Sequence, residues 1–137
     1  MGMTVEIATG LAQAIRAAAA ASPAHEVCGL LLGTDGRVEA LLPAENVAAD
    51  PTRHFEIDPQ ALLAAHRAAR AGGPAVIGHY HSHPTGRVAP SATDAAASHG
   101  DGALWIITDG ETLGCWRAMA QGPVSYTHLT LPTICSV

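Results

Sequence analysis

Residues 78–94, GHYHSHPTGRVAPSATD, hold side chains that could do metal chemistry. Successive residues of a strand point to opposite faces, so His81 and His83 project to one side with Cα atoms ~6.5–7 Å apart. Two imidazoles at that spacing can converge on one ion while Ser82 points elsewhere. Pro84 ends such a strand. Ser91 is a natural helix N-cap, and SATD sets the Asp94 carboxylate in the first turn of the helix expected from Ser91 to about His99. If the 84–90 loop folds back, Asp94 joins the two histidines. Three protein ligands with an open fourth position describe a catalytic zinc site, whereas structural sites are closed and usually use cysteine. Nitrogen and oxygen donors without thiolates favour Zn²⁺, with Fe²⁺ and Mn²⁺ also compatible.

The same residues admit a plainer reading. An H-x-H pair at a strand end need not bind metal, Ser91 serves as a cap in any helix, and Asp94 is a favourable carboxylate near a helix N-terminus. Spacing alone does not single out a general base either, because Glu26, Glu39, Glu45 and Glu56 are all available.

The elements that must position these groups follow from pattern. Residues 3–7 alternate as a short strand, and 8–22 are strongly helix-forming up to Pro23. VCGLLLG, 27–33, is a nearly continuous apolar run, the mark of a buried strand, and Asp35-Gly36 predicts a hairpin after it. Asp58-Pro59 opens a helix that runs to about Arg70 and stops at Gly72-Gly73. PAVIGHYHSH reads as a buried strand turning polar at its end, and ALWIITDGETLGCWRA as a hairpin turned at Asp109-Gly110. Strands alternating with three helices predict an α/β or α+β domain with a mixed sheet. Apolar residues make up 48% of the chain and aromatic ones 4%, so the core is expected to be aliphatic.

The whole pattern resembles a known family. His81-Ser82-His83-Pro84, the residues from Pro84 to Pro90, and Ser91-Ala92-Thr93-Asp94 match the JAMM signature of the MPN-plus metalloproteases. HEVCGLLLG, 25–33, resembles that family's N-terminal element, which supplies an acidic catalytic residue, by position Glu26. The likeness extends over roughly residues 3 to 120, most closely to the small stand-alone bacterial members. It implies a mixed, curved β-sheet flanked by helices, a fold resembling cytidine deaminase. It also implies one Zn²⁺ per chain, held by His81, His83 and Asp94. Glu26 would be the general base and Ser91 the donor to the oxyanion, its capping and oxyanion roles competing for one hydroxyl. Amide hydrolysis on a protein or peptide substrate would follow, such as the tail of a ubiquitin-like sulfur carrier ending in Gly-Gly. The alternative is a non-catalytic MPN-type interaction module with a structural metal. Two other zinc chemistries fail: Gly29 stands where H-E-x-x-H needs its second histidine, and no H-x-E with a later P-C-x-x-C is present.

His79 shares the strand face of His81 and His83 but lies outside the signature, so a packed or supporting histidine is expected. Cys28 is expected to be an inert core thiol, and His54, His66 and His99 surface or structural histidines. A net charge of −5 with no basic cluster argues against nucleic acid and anionic membrane as partners. No apolar run approaches the ~20 residues of a membrane span. Three widely spaced cysteines suggest no disulfide framework, and the cytoplasm is the expected compartment. Residues 124–137 differ from the rest: they lack Ala, Gly and any charge, and VSYTHLTLPT resembles a translation of transposase adapter DNA. The metalloprotease domain is therefore expected to occupy 1–123, with 124–137 a foreign tail whose Tyr126, His128 and Cys135 belong to no site.

Overall fold

The computed structural model describes residues 4–34, 36–92, 94, 102–118 and 125–130. In chain order they form β1 (Thr4–Ile7), α1 (Thr9–Ala20), β2 (Cys28–Thr34), β3 (Arg37–Ala44), α2 (Pro59–Arg70), β4 (Ala75–Ser82), β5 (Leu104–Thr108), β6 (Leu113–Arg117) and β7 (Ser125–Thr130). The strands order as β1-β3-β2-β4-β5-β6-β7, and β7 returns to β1. The expected mixed sheet is present, with parallel β1–β3, β4–β5 and β1–β7 and antiparallel neighbours elsewhere. Its closure into a barrel goes beyond the curved sheet that the family resemblance implied.

The core is aliphatic, as composition requires. Val5, Ile7, Leu31, Val38, Leu104 and Ile106 cluster with Ala12 and Ile15 of α1, and Tyr80 supplies the one ring in that cluster. Helix α1 has no side-chain cap and is held by its buried face, Ala12, Ile15 and Ala19. Helix α2 is built at its ends. The Asp58 carboxylate accepts from Gln60 N at 3.1 Å and Pro59 occupies the first turn. The helix expected from Ser91 begins with Ala92 and Asp94 in helical conformation, and His99 lies outside the described residues.

Strand β7 falls within the stretch that composition sets apart. It pairs antiparallel with β6 and parallel with β1. Ladder hydrogen bonds come from the backbone, so this pairing is indifferent to the origin of the sequence that provides it.

Two glycines let β4 sit where the site needs it. A Cβ on Gly29 would meet the Tyr80 ring, and one on Gly78 would overlap the Leu104 carbonyl oxygen, with the carbonyl carbon and the backbone N of Leu104 each 2.7 Å away. The Tyr80 ring could swing at a cost, but the paired backbone of β5 cannot retreat without breaking its ladder. Gly78→Ala should therefore cost at least ~1–3 kcal/mol, read from the denaturant midpoint. A midpoint equal to that of the wild type would show that the β4–β5 spacing is looser than described.

Candidate active site

Register delivers the acidic residue. In the antiparallel β2–β4 pair Cys28 lies opposite His81 and Gly29 opposite Tyr80. Continuing that pairing beyond β2 sets Glu26 beside His83. Two bonds extend the pairing there: Ser82 N donates to Val27 O at 3.0 Å, and Val27 N donates to Ser82 Oγ at 2.8 Å. Glu26, His81 and His83 are all buried, with one ligand atom of each within 4.8 Å of the others. Of the four candidate glutamates, Glu26 is the one brought to the histidines.

Asp94 completes the constellation. Its Oδ2 lies 3.1 Å from both His81 Nε2 and His83 Nε2, which are 3.2 Å apart. Atoms bound to a tetrahedral zinc at about 2.0–2.1 Å stand ~3.3 Å from one another, so this triangle fits such an ion. Its protonation fits as well. His83 Nδ1–H donates to Arg87 O at 2.8 Å, which turns Nε2 inward, where it carries a proton toward Asp94 in the metal-free chain and offers its lone pair once a cation displaces that proton. Two inward nitrogens and a carboxylate oxygen at such distances are donors suited to a cation. The outer carbonyl on His83 is the kind of partner that orients metal-bound imidazoles.

Ser91 and Asp94 form a reciprocal cap. Asp94 N donates to Ser91 Oγ at 3.0 Å, and Ser91 N donates to Asp94 Oδ2 at 2.9 Å. The expected competition for the serine hydroxyl does not arise. The cap uses a lone pair, and the O–H proton remains available to a ligand.

The two carboxylates are driven apart. Burial pushes Glu26 up from 4.5 to about 7; nearby His83 works against this and Asp94 adds to it. Burial also acts on Asp94, but hydrogen bonds from His81, His83 and Ser91 outweigh it and hold that group far below the carboxylate range. Desolvation lowers His81, while the bonds to Asp94 and Arg87 overcome desolvation and raise His83. Glu26 is thus poised near neutrality and Asp94 is fixed as an anion.

A loop that sequence reasoning passed over braces the site. Asn46 Nδ2 donates to Glu26 O at 2.9 Å and to His54 O at 3.0 Å, and its Oδ1 accepts from Ala48 N and Glu56 N, each at 3.0 Å. All four bonds of the amide are used. Glu26 N in turn donates to Pro51 O at 2.7 Å. The same loop lays Phe55, the only phenylalanine in the chain, on His81 with ring centroids 4.2 Å apart. That lone ring in an aromatic-poor sequence was a usable signal; Asn46 offered none.

The other candidates fall as expected. His79 packs among Phe55, His81 and Trp105, at 4.9, 5.3 and 5.1 Å, and burial beside His81 pushes it down to about 3. It is a packed neutral ring. Cys28 is buried and raised to about 11 by desolvation first and Glu26 second, an inert thiol. His54 and His66 are exposed.

Comparison with known proteins shows the family. The profile of prokaryotic homologs of the JAB domain matches residues 8–120. The chain belongs to the prokaryotic JAB family. A desampylase of Haloferax volcanii is 40% identical over 67% of this chain and 68% of its own. A Thermus thermophilus protease named for cleaving TtuB–protein conjugates is 34% identical over 68% of this chain and 62% of its own. In fold, the chain is similar to a JAB1/MPN domain protein from Archaeoglobus fulgidus, with a TM-score of 0.59 at 21% identity over 91% of this chain and 98% of that one.

Two outcomes follow. Between about 4.5 and 7 the folded chain retains a proton on Glu26 that the unfolded chain releases, so its contribution is full below that window and lost as pH rises through about 7. With metal chelated, Glu26→Gln should gain stability relative to wild type as pH climbs from about 5 to about 8, followed by denaturant titration. A pH-independent difference would place the carboxyl in water. Asn46→Ala strands two carbonyls and two N–H groups and should cost ~1–3 kcal/mol, with the 45–58 loop becoming sensitive to limited proteolysis. Unchanged cleavage kinetics would mean that other contacts hold the loop.

Proposed function

We propose that this JAB-family chain is a zinc-dependent peptidase or isopeptidase that hydrolyses an amide at the C-terminal tail of a small ubiquitin-like protein. The observation that carries the reading is the triangle of His81 Nε2, His83 Nε2 and Asp94 Oδ2, 3.1–3.2 Å on a side, with the raised carboxyl of Glu26 next to it. His81, His83 and Asp94 hold one Zn²⁺. When bound, the ion polarises a carbonyl and lowers the pKa of water towards ~7.

The chain's own residues supply the rest. Glu26 takes a proton from the attacking water and passes it to the leaving amine, which a carboxyl titrating near 7 can do in both directions. Ser91 directs its free O–H to the oxyanion that develops on the scissile carbonyl. Both residues line one open cleft of about 490 Å³. A non-catalytic module would gain nothing from a desolvated carboxyl beside three converging ligands.

The desampylase and the conjugate-cleaving protease support a ubiquitin-like substrate. A tail ending in Gly-Gly suits the cleft, because it brings no side chains to the scissile bond. The domain is assigned to residues 1–123, in keeping with a family match that stops at 120, and 124–137 to a foreign tail. The cytoplasm is the proposed compartment; Cys28 and Cys115 are buried free thiols, and among the described residues no helix is long and apolar enough to cross a membrane.

The test is elemental analysis combined with cleavage of a ubiquitin-like protein extended beyond Gly-Gly. Wild type should carry about one zinc and turn over. Glu26→Gln should keep its zinc and lose at least ~100-fold in kcat, while Asp94→Asn should lose zinc. Zinc loss in Glu26→Gln would make that residue a ligand instead of a base, and full zinc in Asp94→Asn would remove the aspartate from the metal.

A further inference from the structure

His81 and His83 are proposed ligands of one ion, yet they are held by different devices. A metal-bound imidazole almost always donates its outer ring N–H to a carbonyl, a carboxylate or water, and that bond fixes the ring plane. His83 follows this rule through Nδ1 and the Arg87 carbonyl, at 2.8 Å. His81 does not: its Nδ1 is buried and has no hydrogen-bond partner among the described residues. Rotation of a histidine ring about its Cβ–Cγ bond is broad and weakly restrained. Something other than a hydrogen bond must therefore pin His81 so that Nε2 keeps its aim.

Packing supplies that restraint. The Phe55 ring lies on His81 with centroids 4.2 Å apart and planes 19° from parallel. His79 closes a triangle, 4.9 Å from Phe55 and 5.3 Å from His81, and Trp105 backs His79 at 5.1 Å. Turning the His81 ring would drive its edge into the phenyl face. His79, His81 and Trp105 come from paired strands, in which His79 stands opposite Trp105. Of the four rings, Phe55 alone comes from the irregular 45–58 loop. One amide clamps the loop at this point. Asn46 donates to His54 O at 3.0 Å and accepts from Glu56 N at 3.0 Å, the two neighbours of Phe55, and it also donates to Glu26 O at 2.9 Å. The ring that pins a ligand and the proposed base are thus tied to a single side chain.

We infer that Phe55 is a positioning residue: its ring stands in for the missing outer hydrogen bond of His81 and, through the Asn46 clamp, couples metal occupancy to the placement of Glu26. This rests on the zinc reading above. Such a coupling is reciprocal. If the ordered loop tightens zinc by orienting His81, bound zinc steadies the loop by the same factor. The base is then held most firmly when the ion is present, and a chain whose loop opens also loosens its metal.

The experiment compares wild type, Phe55→Leu and Phe55→Tyr as full chains. Zinc affinity is measured by competition with a chromogenic chelator. Loop opening is measured by trypsin cleavage after Arg53, which is exposed within the loop. Leucine keeps apolar bulk without a flat face and should weaken zinc binding by about tenfold, the usual cost of removing a group that orients a ligand. Tyrosine keeps the face and should bind zinc as wild type does. Zinc should slow cleavage after Arg53 by about tenfold in wild type and Phe55→Tyr, and should leave Phe55→Leu nearly unprotected. Equal zinc affinity in wild type and Phe55→Leu, or equal loss in both variants, would overturn the inference and leave the peptidase reading standing. If Phe55→Leu fails to fold, wild type decides alone: cleavage after Arg53 at one rate with and without zinc overturns the coupling. A wild type that binds no zinc would overturn both readings.

Discussion

The antiparallel register of β2 against β4 is the constraint on which the site depends. Cys28 opposite His81 fixes Glu26 beside His83, and a slip of one residue would turn every side chain of one strand to the other face. Several features oppose such a slip. Leu30 and Leu31 are buried, the Tyr80 ring needs the bare Cα of Gly29, and Ser82 Oγ accepts Val27 N–H beyond the end of β2. The register is therefore determined by packing in the core and read out at the rim as the pairing of Glu26 with His83, the proposed base and ligand.

That rim is costly to build, and the cost explains its chemistry. Glu26, His81, His83 and Asp94 are all buried, and burial opposes the charged form of each. For Asp94 the loss is offset by two imidazoles and the Ser91 N–H, so it stays ionised. Among the described residues Glu26 Oε1 has no hydrogen-bond partner, and burial, with a second carboxylate nearby, raises the group to about 7. Identical chemistry in two environments yields a fixed anion for a cation and a titrating group for protons.

Some of this was legible in the sequence because it is local. His81 and His83 share a face by strand geometry, and the Ser91–Asp94 cap follows from a spacing of three residues. The Asp58-Pro59 start of α2 and both hairpin turns were legible for the same reason. Glu26 was not legible from the residues alone, since its selection among four glutamates depends on a strand pairing 55 residues away. Only the resemblance supplied it. Asn46 and Phe55 act from an irregular loop with no period to reveal them, through partners up to 26 residues distant. Barrel closure depends on β1 meeting β7, the most distant pairing in the chain, which no local pattern encodes.

The site also divides mechanically. Its ligand half is the end of β4 with the 83–94 segment, braced by the Arg87 carbonyl and the Ser91–Asp94 cap. Its base half is the start of β2 with the 45–58 loop, braced by Asn46 and Pro51. The halves meet through Ser82 on Val27 and Phe55 on His81. Neither brace of the ligand half passes through the loop that positions Glu26. On the proposed roles, a chain of this fold can therefore lose its base and still hold a metal, whereas displacing the loop would also strip Phe55 from His81. The reverse does not follow, because the raised carboxyl has no task without the ion beside it. On the proposed roles metal retention is therefore more robust than turnover, and a metal-binding member without activity is the simplest product of losing Glu26.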